Sequence, residues 1–63
     1  MEVIIRDLIS GEVLYHDGNF SVKSLNALAD RPEIEQDVWD AALSMGVVSQ
    51  EQRETCSIEI DDQ

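Results

Sequence analysis

The chain has 63 residues, with 14 acidic and 4 basic side chains for a formal net charge of −10, and 43% of it is hydrophobic. This apolar fraction favours a folded protein over a disordered chain, and the length suits one small domain over 1–63. The excess of carboxylates argues against direct binding to nucleic acid or to anionic membranes, because both need basic surfaces. A basic protein surface is the natural partner for this charge.

One cysteine and one histidine limit the usual ways of stabilising so small a core. Cys56 alone cannot form an intramolecular disulfide or a Cys-x-x-Cys metal knuckle, and His16 is the single histidine available to a zinc site. The sequence therefore predicts neither a metal nor another cofactor. Because a core of this size supplies only about 3–5 kcal/mol by itself, self-association as a homodimer stays open.

The N-terminal segment does not have the features of a signal peptide. Its apolar run has no basic segment before it and is interrupted by Arg6 and Asp7. No stretch approaches the roughly 20 apolar residues of a membrane span. We therefore expect a cytoplasmic protein whose thiol stays reduced.

The first part of the chain predicts a β-hairpin over 2–17. The segment 2–10 is short and rich in β-branched residues, which favours a strand, and 12–17 follows as a second strand. Ser10-Gly11 between them predicts a tight turn. Side chains of the second strand should alternate, with Val13 and Tyr15 on one side and Leu14 and His16 on the other.

A second turn is predicted at 17–19, where Asp-Gly-Asn tolerates unusual backbone angles. His16 beside this turn could be a general base oriented by Asp17. It has no serine or cysteine partner at a recognisable spacing, so the simpler interpretation is a histidine at the surface.

Two helices are predicted next, at 21–30 and 32–45. The first offers Ser21 or Ser24 as an N-cap and places its leucines on one face. The second begins with Asp-Arg-Pro-Glu at 30–33, which combines a capping residue, an early proline and an acid three residues later. Pro32 disfavours helical backbone at Arg31, so the two helices should meet at a corner. Gly46 is expected to end the second helix.

The last part of the chain predicts a turn with a short helical segment at 47–54 and a strand at 55–60. In that strand Cys56, Ile58 and Ile60 alternate with polar residues, which indicates one buried face. Cys56 should therefore be a small buried hydrophobe, not a nucleophile. Residues 60–63 are expected to form a frayed acidic tail. The fold class predicted is α+β, a β-β-α-α-β chain with two helices on one face of a three-stranded antiparallel sheet.

The predicted helix 32–45 carries a row of carboxylates beside its apolar stripe. On a helical wheel the stripe spans about 100° and comprises Ile34, Val38, Ala41, Ala42 and Met45. The acids lie together in an adjacent sector of about 80°: Asp30, Glu33, Asp37 and Asp40. Like-charged neighbours on a helix repel by a few tenths of a kcal/mol, roughly, for each pair. The row is either an ordinary solvated face or a surface presented to a basic groove.

Trp39 and Leu43 form an apolar pair on a third side of this helix. The pair could anchor a partner, since tryptophan is enriched at interface hot spots, or it could form a homodimer contact. The alternative is that Trp39 completes the core. The sequence leaves this choice open.

In length and charge the chain resembles small acidic inhibitors encoded by phages and mobile elements, among them anti-restriction and anti-CRISPR proteins. The net charge and the row of acids predict a small inhibitor or adaptor that binds and occludes a basic protein, such as one that binds nucleic acid, in the manner of a nucleic-acid mimic. Glu33, Asp37, Asp40 and Asp30 would make the contact, with Trp39 as an apolar anchor. The alternative function is a structural interaction module or homodimer whose charge serves only solubility. An enzyme is not predicted, because so small a fold has little room for a catalytic cleft.

Overall fold

The computed structural model describes residues 1–21 and 30–61. Its elements in chain order are β1 (Glu2–Asp7), β2 (Val13–Asp17), helix α1 (Arg31–Ser44), a 3₁₀ helix (Gln50–Glu54) and β3 (Cys56–Asp61). The strands form one antiparallel sheet in the order β2-β1-β3. This confirms the α+β class and the three-stranded antiparallel sheet.

One of the two predicted helices is present, and the two-helix arrangement is not supported. The second predicted helix is α1, which the structure bounds within one residue of the prediction at each end. The first, 21–30, falls mainly on 22–29, outside the described residues. Asp30, the last residue assigned to it, has an extended backbone and serves as the N-cap of α1.

The core lies between one face of the sheet and one side of α1. The central strand β1 supplies Val3 and Ile5, both fully buried. Ile5 pairs with Tyr15 on β2 and with Ile58 on β3, so these three side chains share the inner face. The buried residues are Val3, Ile5, Phe20, Val38, Trp39, Ala42, Val48, Cys56 and Ile58.

A β-bulge in β2 overturns the predicted alternation of that strand. Ile5 pairs with Tyr15, but the next residue of β1, Arg6, pairs with Val13, which leaves Leu14 as the extra residue. Val13 therefore shares the outer face with Arg6, and Leu14 packs against the core. The prediction that Val13 and Tyr15 share one face, with Leu14 on the other, was wrong. The bulge places Leu14 and Tyr15 on the core side of the sheet and Val13 on the outer side.

The hairpin is confirmed, but residues 8–12 connect its strands in place of a tight Ser10-Gly11 turn. Asp7 organises this connection: its Oδ1 accepts the backbone N–H of Ile9 at 2.8 Å and of Ser10 at 3.4 Å. Its carbonyl accepts the Gly11 N–H at 2.7 Å. Gly11 has φ +76°, a left-handed angle that glycine adopts without strain. β1 therefore ends at Asp7, three residues earlier than predicted. The predicted turn at 17–19 is also present, and there the Asn19 N–H donates to Asp17 Oδ1 over 2.9 Å.

α1 begins and ends one residue before the prediction, and it includes Arg31, which Pro32 was expected to keep out of the helix. No side chain caps its N-terminus. The Asp30 side chain makes no capping hydrogen bond, while its carbonyl accepts the N–H groups of Glu33 and Ile34 at 3.0 and 3.1 Å. At the other end Gly46 has φ +73° and donates to the Leu43 carbonyl. The Val47 N–H reaches back to the Ala42 carbonyl, 3.2 Å away. These two bonds form a Schellman motif.

The last elements follow the prediction closely. The short helical segment expected within 47–54 is the 3₁₀ helix, and at its N-terminus the Ser49 N–H donates to Gln52 Oε1 over 2.9 Å. β3 follows with Cys56 and Ile58 buried, as the alternation predicted. β3 continues to Asp61, so residues 60 and 61 belong to the strand and not to a frayed tail. Residues 62–63 lie outside the described part of the chain.

Candidate protein-binding surface

The side of α1 that faces the sheet differs from the predicted stripe. Val38, Trp39 and Ala42 are buried, while Ile34, Ala41 and Leu43 pack partly against the core. Met45 is 68% exposed and lies at the C-cap, beyond the last residue of the helix. The stripe was therefore wrong to include Met45 and to leave out Trp39. A helical wheel gives relative directions only, and the large indole sets which direction points into the core.

Trp39 is a core residue. It is 1% exposed, and the guanidinium of Arg53 lies 5.5 Å from the centre of its ring. Its Nε1 is buried and has no hydrogen-bond partner within residues 1–21 and 30–61. Of the two alternatives for Trp39, the core is the correct one, and the exposed anchor does not fit this burial. Leu43 packs against the same core, so the pair does not form an open homodimer surface.

The acidic face, defined as Asp30, Glu33, Asp37 and Asp40, points away from the core. At about 100° per residue, the mean direction of Glu33, Asp37 and Asp40 lies about 180° from that of the three buried residues of α1. Asp30, Glu33 and Asp40 are exposed, whereas Asp37 is half-buried and already makes a polar interaction. Gln36 Nε2 donates to Asp40 Oδ1 over 2.9 Å, which orients that carboxylate.

The arginines of the described residues are engaged away from the acidic face. Arg6 Nε bonds Glu59 at 2.9 Å, and Arg31 Nε lies 3.7 Å from Glu35. Arg53 lies over Trp39. Within the described residues, therefore, no ion pair neutralises Glu33 or Asp40. Their charge is presented outward, apart from the single hydrogen bond to Asp40.

The remaining candidate residues form no reactive group. His16 is an exposed strand residue whose Nε2 lies 3.1 Å from Glu2 Oε2, and no bond joins its ring to Asp17 among the described contacts. Burial raises the pKa of the Tyr15 phenol, and the nearby Asp17 carboxylate raises it further. Over residues 1–21 and 30–61, no three metal-binding side chains come together. None of the helices described is long and apolar enough to cross a membrane.

Sequence reasoning missed an apolar pair at the end of the hairpin. Leu8 and Ile9 were assigned to the first strand, but they lie in the connection 8–12, which we name the hairpin tip, and are 63% and 82% exposed. The signal was present: Asp7 followed by Ser10-Gly11 is typical of a turn that a carboxylate organises. Recognising it would have ended the strand before Leu8.

No protein-family model, no curated protein and no solved structure matches this chain. What can be said of its function comes from the surface that the chain itself presents.

Proposed function

We propose that this protein binds and occludes the basic surface of a nucleic-acid-binding protein through the acidic face of α1. It would act as an inhibitor of the nucleic-acid-mimic type, as the size and charge of phage-encoded anti-defence proteins suggest. The observation that carries the proposal is the direction of this face. Glu33 and Asp40 point away from the core and have no ion-pair partner among the described residues.

The spacing of the carboxylates supports a nucleic-acid-like surface. Along the helix axis Glu33, Asp37 and Asp40 are separated by steps of about 6 and 4.5 Å. A single nucleic-acid strand presents a negative charge every 3.4 Å or so along a duplex axis, a spacing of the same order. A groove that has evolved to bind phosphates would therefore meet carboxylates at comparable intervals.

The net charge of −10 would assist the encounter itself. Complementary fields steer two proteins together and raise the association rate, and salt weakens this effect. Occlusion needs no chemistry beyond this contact. The alternative, that the charge serves only solubility, makes the opposite prediction, since it requires no particular row of acids.

Two variants that remove the same charge from different places test the proposal. Glu33→Gln with Asp40→Asn removes two of the four charges of the acidic face with little change in shape. Glu51→Gln with Asp61→Asn removes two exposed carboxylates from elsewhere and is the matched control. Each variant, with the wild type, is immobilised and challenged with the proteins of a lysate that bind to heparin.

We expect the wild type and the control to retain a basic nucleic-acid-binding protein, with binding that weakens as salt rises. The acidic-face variant should bind that protein about tenfold less tightly. If both variants lose the same amount of affinity for that protein, binding depends on the net charge of the chain and not on the acidic face. Equal retention by all three chains would contradict the role of the acidic face.

A further inference from the structure

The hairpin tip presents two neighbouring large apolar side chains to solvent. Isolated exposed hydrophobic residues are ordinary, but contiguous ones mark interaction surfaces. Leu8 and Ile9 are adjacent, and Ile9 is more exposed than any other large hydrophobic residue of the described chain. Val13, the first residue of β2, lies on the outer face of the sheet because of the bulge and is 44% exposed.

Hydrogen bonds to neighbouring side chains and to the residue before β3 hold the backbone of the tip. The Leu8 N–H donates to the Thr55 carbonyl at 2.9 Å, which fixes the tip to the residue before β3. The Ile9 N–H is bound by Asp7 Oδ1, and the Glu12 N–H donates to Ser10 Oγ at 3.2 Å. A surface that is ordered before binding loses little conformational entropy when it binds.

Acidic residues adjoin this apolar pair in the sequence and next to Thr55, to which Leu8 is hydrogen-bonded. Asp7 precedes it, the exposed Glu12 lies in the tip, and the exposed Glu54 precedes the residue that holds Leu8. The nearby cation is Arg6, which donates to the Gly11 carbonyl at 3.2 Å and is paired with Glu59. A second copy would bring like charges together around the contact, which disfavours a homodimer here. A partner with basic groups around an apolar depression fits the surface.

We propose that Leu8 and Ile9 are the apolar anchor of the contact with the basic partner, and enter a shallow depression rimmed by lysine or arginine. The inference rests on the proposed function for the class of partner. It gives that contact an apolar part, a role that Trp39 does not fill because it lies in the core.

Two synthetic peptides and a pair of matched variants test the inference. One peptide combines lysine with leucine, and the other has serine in place of every leucine. Binding is followed by NMR titration of the isotope-labelled protein at low salt. Ile9→Ser removes the exposed anchor, and Met45→Ser removes an apolar side chain of comparable exposure at the end of α1. Circular dichroism establishes that both variants fold.

We expect the lysine–leucine peptide to bind the wild type about tenfold more tightly than the lysine–serine peptide, because apolar area is buried. Its addition should shift the signals of Leu8 and Ile9. Ile9→Ser should abolish the difference between the peptides, and Met45→Ser should preserve it.

Three results would overturn the inference, and they differ in what they say of the proposed function. Equal binding of the lysine–leucine peptide by Ile9→Ser and wild type, with shifts confined to α1, leaves the acidic face as the contact and removes the anchor. Failure of the wild type to bind either peptide contradicts both proposals. A wild type that is dimeric by sedimentation equilibrium, with Ile9→Ser monomeric, makes a second copy the occupant of the tip.

Discussion

Trp39 gives the sharpest test of the core because it combines full burial with an unsatisfied polar atom. The side chain is 1% exposed, its Nε1 has no hydrogen-bond partner in the described part of the chain, and Arg53 lies over its ring. Two substitutions separate these contributions. Trp39→Ala removes the whole indole, whereas Trp39→Phe keeps an aromatic ring and removes the N–H group.

The two variants should differ widely in their free energy of unfolding. Trp39→Ala should cost about 3–5 kcal/mol through the cavity it leaves. A domain of this size has a total of about 3–5 kcal/mol, so the alanine variant should be largely unfolded without denaturant. Trp39→Phe loses roughly 1–2 kcal/mol of packing but relieves a buried, unpaired N–H that costs about 1–3 kcal/mol. Its free energy of unfolding should therefore stay within about 1 kcal/mol of the wild type.

Urea unfolding followed by circular dichroism measures these differences, since the phenylalanine variant lacks the tryptophan signal. Arg53→Gln is the control for the contact over the ring, and it should cost only about 0.5–1 kcal/mol. If Trp39→Phe destabilises the protein as much as Trp39→Ala, the unsatisfied Nε1 does not carry the energy assigned to it. The reasoning would then be refuted, because packing of the full indole would account for the whole effect.

Three further changes test the local structure. Gly46→Ala should destabilise the fold by about 1–2 kcal/mol in urea unfolding, since alanine is strained at φ +73°. Gly18→Ala is the control, because that site has equal room for a methyl group but no positive φ, and it should be neutral or slightly stabilising. Asp7→Ala should cost about 1 kcal/mol and broaden the NMR signals of the hairpin tip, while Asp7→Asn, which keeps the accepting Oδ1, should do neither. The raised pKa of Tyr15 means that the folded state holds the phenolic proton more tightly than the unfolded state. The neutral phenol therefore contributes to the stability of the fold in full below pH 10.0, the ordinary pKa, and this contribution is lost as the pH rises through the pKa of the folded state. An absorbance titration of the single tyrosine should show a midpoint above that value, and Tyr15→Phe should remove this part of the alkaline loss; a midpoint at or below it would contradict the burial of the phenol.

The parts of the fold that the sequence predicted are those whose chemistry is local. Gly46 ends α1 because glycine adopts the left-handed backbone angles of a helix C-terminus without strain. The proline near the start of α1 is compatible with the first turn of a helix. The strand at Cys56 shows its buried face by simple alternation. None of these depends on which element lies opposite.

The parts that the sequence did not predict depend on contacts between distant residues. The bulge at Leu14 is a property of the pairing of β1 with β2, and alternation within β2 alone gives no sign of it. The rotation of α1 is set by the sheet that receives Trp39, so a wheel could group the acids but not show that they point directly away from the core. The hairpin tip was hidden because Leu8 and Ile9 continue the β-branched and apolar composition of the strand before them.

The single cysteine, which is buried, can be used to measure how often the structure around it opens. Cys56 is the first residue of β3 and pairs with Asp7, the residue that organises the hairpin tip. A thiol reagent can reach it only when this end of the sheet separates, so the labelling rate measures how often that happens. Because a ligand bound at the hairpin tip would hold this end of the sheet closed, it should slow the reaction, and the labelling rate of Cys56 would then report binding at the tip.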